Sequence, residues 1–253
     1  MFEVIRISAF KDNYIWLLRK GRSAIVVDPG DALPVLEVLA REALVLRAIL
    51  VTHHHADHQG GVATLSSNYP VEVFGPAAES ITGLTQPLAG GETIRLESID
   101  AGFQVLAVPG HTLGHLAYYG QGCLFCGDTL FGAGCGRLFE GTPAQMSDSL
   151  ARLTALSDET AVYCAHEYTE TNLRFALTVE QGNANLRRRA DAVSVARAQG
   201  EATVPSTIGL EKATNPFLRC GSPEIVSTVR ARREDASNPL AVFTALRKWR
   251  NTF

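Results

Sequence analysis

Thr52-His53-His54-His55-Ala56-Asp57-His58 is the stretch on which the reading of this chain turns. It follows Leu44-Val45-Leu46-Arg47-Ala48-Ile49-Leu50-Val51, an apolar run rich in β-branched residues that predicts a buried strand. Gln59-Gly60-Gly61 comes next, where a new helix could begin. Imidazole and carboxylate groups of metal-ligand type are therefore expected just past the carboxyl end of a strand, where ligands of open α/β sheets usually bind. Four histidines within residues 53–58 are costly to leave idle, because crowded imidazoles repel once protonated and offer little to a core. A solvated polar turn is the bland alternative.

Working outward, 253 residues allow one large domain, or a main domain with a smaller one. Hydrophobic content of 46% with 19% charged residues fits a globular chain with a substantial core. A formal charge of −3 gives no general attraction to nucleic acid or to an acidic membrane surface. Met1 to Arg6 lacks the basic and apolar segments of a signal peptide, and no apolar run approaches the ~18 residues that span a bilayer. We expect a cytoplasmic monomer without nucleic-acid or membrane partners. The five cysteines (Cys123, Cys126, Cys135, Cys164, Cys220) are odd in number and dispersed, which argues against a disulfide framework. Cys123 and Cys126 have redox-motif spacing, but in a strand i and i+3 face opposite sides, so they read as bystanders. Arg187-Arg188-Arg189 and Arg230-Ala231-Arg232-Arg233 read as exposed helical faces rather than an RNA surface.

Strands are expected over 2–8, 13–19, 24–28, 44–51, 71–74, 92–96, 103–108, 116–119, 123–126 and 161–164. Helices are expected over 32–41, with Leu33, Leu36, Val38 and Leu39 buried, and over 62–67 and 146–156. Two successive series of strands and helices suggest two sheets with helices on their outer faces. Each polar cluster falls at a strand end: His53 to His58, His111, Asp128 and His166. From about Thr171 the texture turns helical, with helices expected over 173–181, 185–199, 223–233 and 239–249.

His53 and His55, two apart in an extended segment, point to one side, and His111 would complete three imidazoles around a metal. Asp57, His58 and His166 would hold a second metal, and Asp128 can bridge the pair. Such ligands suit zinc or iron, with manganese as a further option. The order His53-x-His55-x-Asp57-His58, His111, Asp128, His166 resembles the ligand pattern of the metallo-β-lactamase superfamily. Within it the chain is similar to the glyoxalase II (hydroxyacylglutathione hydrolase) family. The motifs that carry the likeness are Asp12-Asn13-Tyr14, Pro109-Gly110-His111-Thr112-x-Gly114-His115, Gly127-Asp128-Thr129-Leu130-Phe131, Gly134-Cys135-Gly136-Arg137 and Ala165-His166-Glu167-Tyr168-Thr169. Asn172-Leu173-Arg174-Phe175-Ala176 and Asn215-Pro216-Phe217-Leu218-Arg219 extend it into the helical part.

The resemblance implies an α+β fold: an αββα sandwich over residues 1–171, then a helical glutathione-binding domain over 172–253. It implies two divalent ions per chain, zinc before iron or manganese, with His53, His55, His111 and Asp128 at one and Asp57, His58, Asp128 and His166 at the other. The implied reaction is hydrolysis of S-D-lactoylglutathione to glutathione and D-lactate. Water bridging two cations ionises near neutral pH and would attack the thioester carbonyl, with Asp57 orienting it. Arg247 and Arg250, three apart on the last expected helix, match the basic pair that takes the glycine carboxylate of glutathione, and Arg137 and Tyr168 match further contacts. A solvated, basic helix end is the plain reading of the arginine pair.

One departure is visible: Phe139 stands where the family often has tyrosine, so a substrate hydroxyl contact is missing, and Lys248 is a candidate to compensate. His54 should point away from its neighbours, and His115 is open between a supporting hydrogen bond and ordinary packing. A β-lactamase of the common dizinc type would carry cysteine at Asp128. A persulfide dioxygenase would use one iron, and a lactonase would lack the helical region. A tRNA nuclease would need a basic appendage. A non-catalytic scaffold would have lost ligands, and all seven are present.

Overall fold

The structure, a computed structural model, describes residues 2–253. Met1, the first residue of the span read above as the catalytic domain, lies outside them. The chain divides into two compact units: residues 1–108 with 113–127, and residues 109–112 with 128–253.

In the first unit β1 (Glu3–Ala9), β2 (Asn13–Lys20) and β3 (Ser23–Val27) form an antiparallel meander. A crossover through α1 (Ala32–Arg41) makes β4 (Val45–Leu50) parallel to β3. After α2 (Ala56–Gln59) and α3 (Val62–Asn68), β5 (Glu72–Pro76) and β6 (Gln86–Leu88) continue in parallel, giving a six-stranded sheet in sequence order. β7 (Thr93–Leu96), β8 (Ala101–Ala107), β9 (Leu116–Gly120) and β10 (Cys123–Gly127) follow as an antiparallel run.

Both faces of β2 and β3 are buried, which is why these strands read as continuous apolar runs rather than alternating ones. Leu17, Ala24 and Val26 join Val35, Leu39, Val62 and Leu65 in the core beneath α1 and α3. On the antiparallel side, the Phe2 ring lies 5.8 Å from Phe103, and the Tyr118 hydroxyl of β9 donates to Val51 O at 2.8 Å. Burial pushes the Tyr118 phenol well above its ordinary range.

The strand that delivers the histidine cluster contains an irregularity. Its pairing with β3 runs Ala24 to Leu46 and then Ile25 to Ala48, so Arg47 is an extra residue. Leu44 and Leu46 before it, and Ile49 and Val51 after it, accordingly face the same core. One expectation fails on α1. Asp31 caps it through Leu33 N at 3.0 Å, but the buried stripe is Ala32, Val35, Val38 and Leu39. Leu33 sits one residue off that stripe, near 100° around the helix, and is exposed.

The second unit opens with a two-stranded hairpin, β11 (Leu130–Phe131) and β12 (Gly134–Cys135), and α4 (Pro143–Thr154). Thr142 and Gln145 close a capping box at the start of α4, with Pro143 in its first turn. β13 (Ala161–Cys164), α5 (Thr169–Val179) and α6 (Ala184–Ala198) lead to β14 (Ser206–Thr207), which pairs antiparallel with β13. α7 (Ile208–Thr214), α8 (Pro223–Ala231) and α9 (Pro239–Arg250) complete it. Ala133, Leu173, Ala176, Leu186 and Val193 form a core between the hairpin, α5 and α6.

Here a second expectation is corrected. Arg187 and Arg188 are exposed, but Arg189 is buried and paired with Glu211 at 2.6 Å. The buried face of α6 is Leu186, Arg189 and Val193, so a position that looked like part of a basic surface is core. Arg230, Arg232 and Arg233 are exposed as read. No disulfide joins the cysteines. Among the described residues, no helix is long and apolar enough to cross a membrane.

Candidate active site

Each expected donor lies just beyond a strand, where the sheet stops consuming backbone hydrogen bonds and side chains can converge. The first unit contributes His53, His55, Asp57 and His58 from the turn after β4 and from α2. The anchor of this turn is Asp28, at the end of β3 and in a left-handed conformation with φ 51°. Its carboxylate accepts from Thr52 N at 2.7 Å, Thr52 Oγ1 at 2.8 Å and His58 Nδ1 at 3.0 Å. A carboxylate only accepts, so the His58 proton sits on Nδ1 and its Nε2 carries the lone pair. Thr52 gives its own proton to Asp28, so its oxygen accepts from His53 Nδ1 at 3.0 Å and fixes the same tautomer. His53 Nε2 then lies 3.0 Å from His55 Nδ1. Two nitrogens sharing a tetrahedral ion at ~2.0–2.1 Å sit roughly 3.3 Å apart, so this pair has the spacing of two ligands on one ion. Asp57 accepts from Asn13 Nδ2 at 2.9 Å, and its Oδ2 lies 3.6 Å from His58 Nε2.

The second unit contributes His111, Asp128 and His166. His111 Nδ1 donates to Arg137 O at 2.7 Å, again leaving Nε2 with the lone pair. The two oxygens of Asp128 face different imidazoles: Oδ2 is 3.4 Å from His111 Nε2, and Oδ1 is 3.3 Å from His166 Nε2. A carboxylate so placed can give one oxygen to each of two ions. His166 is held by stacking on Tyr168, ring centroids 4.7 Å apart at 7°. The chain thus carries the His and Asp donors of a metal-binding cluster, and the tautomers fixed by Asp28, Thr52 and Arg137 suit divalent cations.

The remaining two histidines are separated by their contacts. His54 is half-buried, with its backbone N–H on Glu79 Oε2 at 2.7 Å. His115 is buried and stacks on His53 at 4.6 Å and 17°, while its Nδ1 donates to Leu116 O at 3.0 Å. It packs as a wall for a ligand.

Arg137, Tyr168, Arg247 and Arg250, the four expected substrate contacts, line one cleft of ≈ 220 Å³ in the second unit, with Phe131, Cys135, Asn172 and Asn251. The apolar face of α9 (Val242, Phe243, Ala245, Leu246) turns Arg247 inward. Its Nη1 donates to Cys135 O at 2.7 Å and its Nη2 to Asn251 Oδ1 at 3.1 Å, with the guanidinium 5.2 Å from the Phe217 ring. Arg250 donates to Asn172 Oδ1 at 3.2 Å. Neither arginine makes an ion pair among the described residues, and the buried Nε of each has no hydrogen-bond partner. Burial, then the neighbouring Arg247 charge, pull the Arg250 pKa below its ordinary value. The plain reading of a solvated helix end is therefore wrong for Arg247, which is buried. Lys248 does not compensate for the missing tyrosine hydroxyl. It lines a different cleft and lies 3.4 Å from Glu234. Phe139 is exposed, its ring 5.3 Å from the Arg137 guanidinium.

Sequence reasoning passed over Asp28, Asn13, Cys135 and Asn172 as functional side chains. Asn13, Cys135 and Asn172 lie inside quoted motifs, and Asp28 ends a strand in Asp-Pro-Gly, but no spacing rule ties any of them to a partner.

Fold and donor set define a class: a metal-dependent enzyme of the metallo-β-lactamase superfamily, whose description matches residues 10–166. The chain belongs within it to the hydroxyacylglutathione hydrolase family. The description "Hydroxyacylglutathione hydrolase C-terminus" matches residues 167–253. The chain is also 56% identical, over 100% of both chains, to a hydroxyacylglutathione hydrolase of Dechloromonas aromatica. Among solved structures it resembles ETHE1 from Myxococcus xanthus, with TM-score 0.66 and 26% identity over 100% of this chain and 99% of that one. It also resembles TTHA1623 in a di-iron-bound form, with TM-score 0.60 and 28% identity over 84% of this chain and 98% of that one. The fold is the α+β metallo-β-lactamase fold with a helical C-terminal domain.

Proposed function

We propose that this chain hydrolyses S-D-lactoylglutathione to glutathione and D-lactate, the second step of methylglyoxal detoxification. The observation that carries the reading is the arginine pair: two guanidiniums, one buried and one half-buried, share a cleft with Tyr168 and make no ion pair among the described residues. Buried cations are normally paired or ligand-bound. Glutathione brings two carboxylates, whereas a β-lactam or a simple lactone gives such a pair no role.

His53, His55, His111 and Asp128 would hold one ion, and Asp57, His58, Asp128 and His166 a second, zinc being preferred over iron or manganese. When bound, such ions supply the Lewis acidity that makes water nucleophilic near neutral pH and polarises a thioester carbonyl. The chain's own contribution is placement. Asp28, Thr52 and Arg137 lock the imidazole tautomers. Asp57, held by Asn13, would orient the attacking water. Arg247 and Arg250 would take the glycine carboxylate, with Arg137 and Tyr168 against the peptide. Water oxygen bonds to the acyl carbon, the C–S bond breaks, and glutathione thiolate leaves without a dedicated acid because it is already a competent leaving group.

Residues 1–171 would then carry the chemistry, with Arg137 and Tyr168 reaching the peptide, and 172–253 would hold the glycine carboxylate, in a cytoplasmic monomer acting on a small molecule without nucleic-acid or membrane partners. The test compares hydrolysis of S-D-lactoylglutathione, a β-lactam and a lactone by the purified protein, with metal analysis. The expected result is selective thioester turnover with two metals per chain. A single iron with oxygen-dependent turnover of glutathione persulfide, or a preference for either ring substrate, overturns it.

A further inference from the structure

The β11–β12 hairpin is the hub of the cationic cleft. From one side it receives both arginines: Arg247 through Cys135 O at 2.7 Å and Gly136 O at 3.4 Å, and Arg250 through Asn172, whose amide donates to Gly132 O at 3.0 Å. A ladder of two residues per strand cannot set that geometry alone, since isolated hairpins are marginal even when much longer. The hairpin is also strained at its tip. Ala133 is fully buried with φ 53°, a left-handed conformation uncommon for a residue with a Cβ.

On its other side lies a buried polar network that the mechanism above does not use. Glu211 Oε2 accepts from Ala133 N at 2.8 Å and from Asn215 Nδ2 at 3.1 Å. The same Asn215 amide donates to Gly134 O at 2.9 Å and Phe131 O at 3.3 Å, so Glu211 and Asn215 together hold residues of both strands and the tip between them. Glu211 Oε1 accepts from Arg189 at 2.6 Å and from the Ser206 hydroxyl, and Arg189 also donates to Thr214 Oγ1 at 2.6 Å. A buried ion pair is a weak source of stability, because desolvation offsets its attraction, and its better-attested use is to specify one geometry.

We propose that Glu211, paired with Arg189, is a positioning residue for substrate. It clamps the strained hairpin and thereby fixes the spacing and direction of Arg247 and Arg250 toward the carboxylate of a glutathione thioester. The inference rests on the reading of that cleft as the glutathione site.

The experiment measures KM and kcat for the thioester, the dissociation constant of S-hexylglutathione by calorimetry, and metal content. Wild type is measured beside Glu211→Gln, Glu211→Asp, Asn215→Ala and Ser206→Ala. Glu211→Gln and Asn215→Ala are expected to raise KM and the dissociation constant about tenfold, with kcat within about twofold and metal content unchanged. Glu211→Asp keeps the charge but not the reach to Ala133 N, and is expected to weaken binding as Glu211→Gln does. Ser206→Ala touches the ion pair without touching the hairpin and should leave KM as in wild type. Folded Glu211→Gln with wild-type KM overturns the proposal. If that variant does not fold, Asn215→Ala, which leaves the ion pair intact, decides the matter in the same way. Failure of the wild type itself to bind S-hexylglutathione sinks the reading of the cleft instead, so the two failures are distinguishable.

Discussion

Replacing Arg250 by alanine separates substrate grip from chemistry and from stability. Arg250 is half-buried at the end of α9, donates to Asn172, lies 6.0 Å from the Phe175 ring centre, and is repelled by Arg247. A hydrogen bond to a charged group contributes about 1.5–3 kcal/mol net, and at about 1.4 kcal/mol per tenfold this predicts a KM increase of roughly 12- to 150-fold. The lower end is expected, because Arg247 remains to take part of the carboxylate charge. kcat and metal content should stay close to wild type, since no metal donor touches this residue. Stability should move the other way: losing a like charge from a desolvated pair leaves the melting temperature of the ligand-free variant unchanged or raised. Arg250→Lys should fall between, because an ammonium keeps the charge but not the planar fork. The assay is steady-state kinetics on the glutathione thioester with parallel thermal melts and metal analysis. A wild-type KM in Arg250→Ala removes the residue from the substrate site. A proportional fall in kcat with lost metal means the cleft and the metal donors are not separable as argued.

Phe139→Tyr restores a hydroxyl at an exposed ring beside Arg137, and a net hydrogen bond of about 0.5–1.5 kcal/mol should lower KM roughly two- to tenfold, with no change meaning that the hydroxyl finds no substrate partner. Asp128→Asn has one acceptor oxygen where two faced different imidazoles, so metal content should fall by at least one ion per chain and activity by on the order of 100-fold; retained metal by elemental analysis would remove the bridging role. Glu180 provides a pH-dependent case. Burial would raise its pKa, but bonds from Arg219, Asn183 and Ser222 outweigh this and hold it below the ordinary 4.5. Its stabilising contribution is thus present above that value and lost as pH falls through the folded pKa. Chemical denaturation at about pH 7 and about pH 3 should show a smaller acid-induced loss for Glu180→Gln than for wild type, and equal losses contradict the assignment.

The sequence made the fold legible where apolar periodicity was long. β1 to β5, α1 and the last two helices were all found near their observed places, because each is held by a continuous buried stripe. It was silent on β6, the β11–β12 hairpin, β14 and α7. β14 and the hairpin strands have two residues apiece, too few for a period, and the hairpin is fixed by Glu211 and Asn215 from far along the chain. α7 hides behind Pro205-Ser206-Thr207, which reads as a break although Thr207 caps a helix through Leu210 N. Leu33 and Arg189 show the converse limit. Both are misread because a hydrophobic or basic letter was assigned a side without knowing which neighbours arrive. The candidate metal donors were legible as residue types at strand ends. Their tautomers were not, since Asp28, Thr52 and Arg137 act across loops that no spacing rule connects.

The extra residue in β4 has a consequence for how this chain tolerates change. Side chains on a strand keep time in twos, and Arg47 is a single added beat just ahead of the histidine turn. Loss of that one residue would leave Leu46 and Ala48 adjacent, opposite the adjacent Ala24 and Ile25, and so would turn the bulge into a regular ladder without changing the phase downstream. Ile49 and Val51 would keep their core positions beside Leu44 and Leu46, and Thr52 would keep the side on which its hydroxyl meets Asp28. A point substitution at Arg47 likewise changes only an exposed side chain. Residue 47 is thus nearly unconstrained in kind and in number: β4 can exchange that amino acid for another, or lose it, and still deliver His53 in the same alignment.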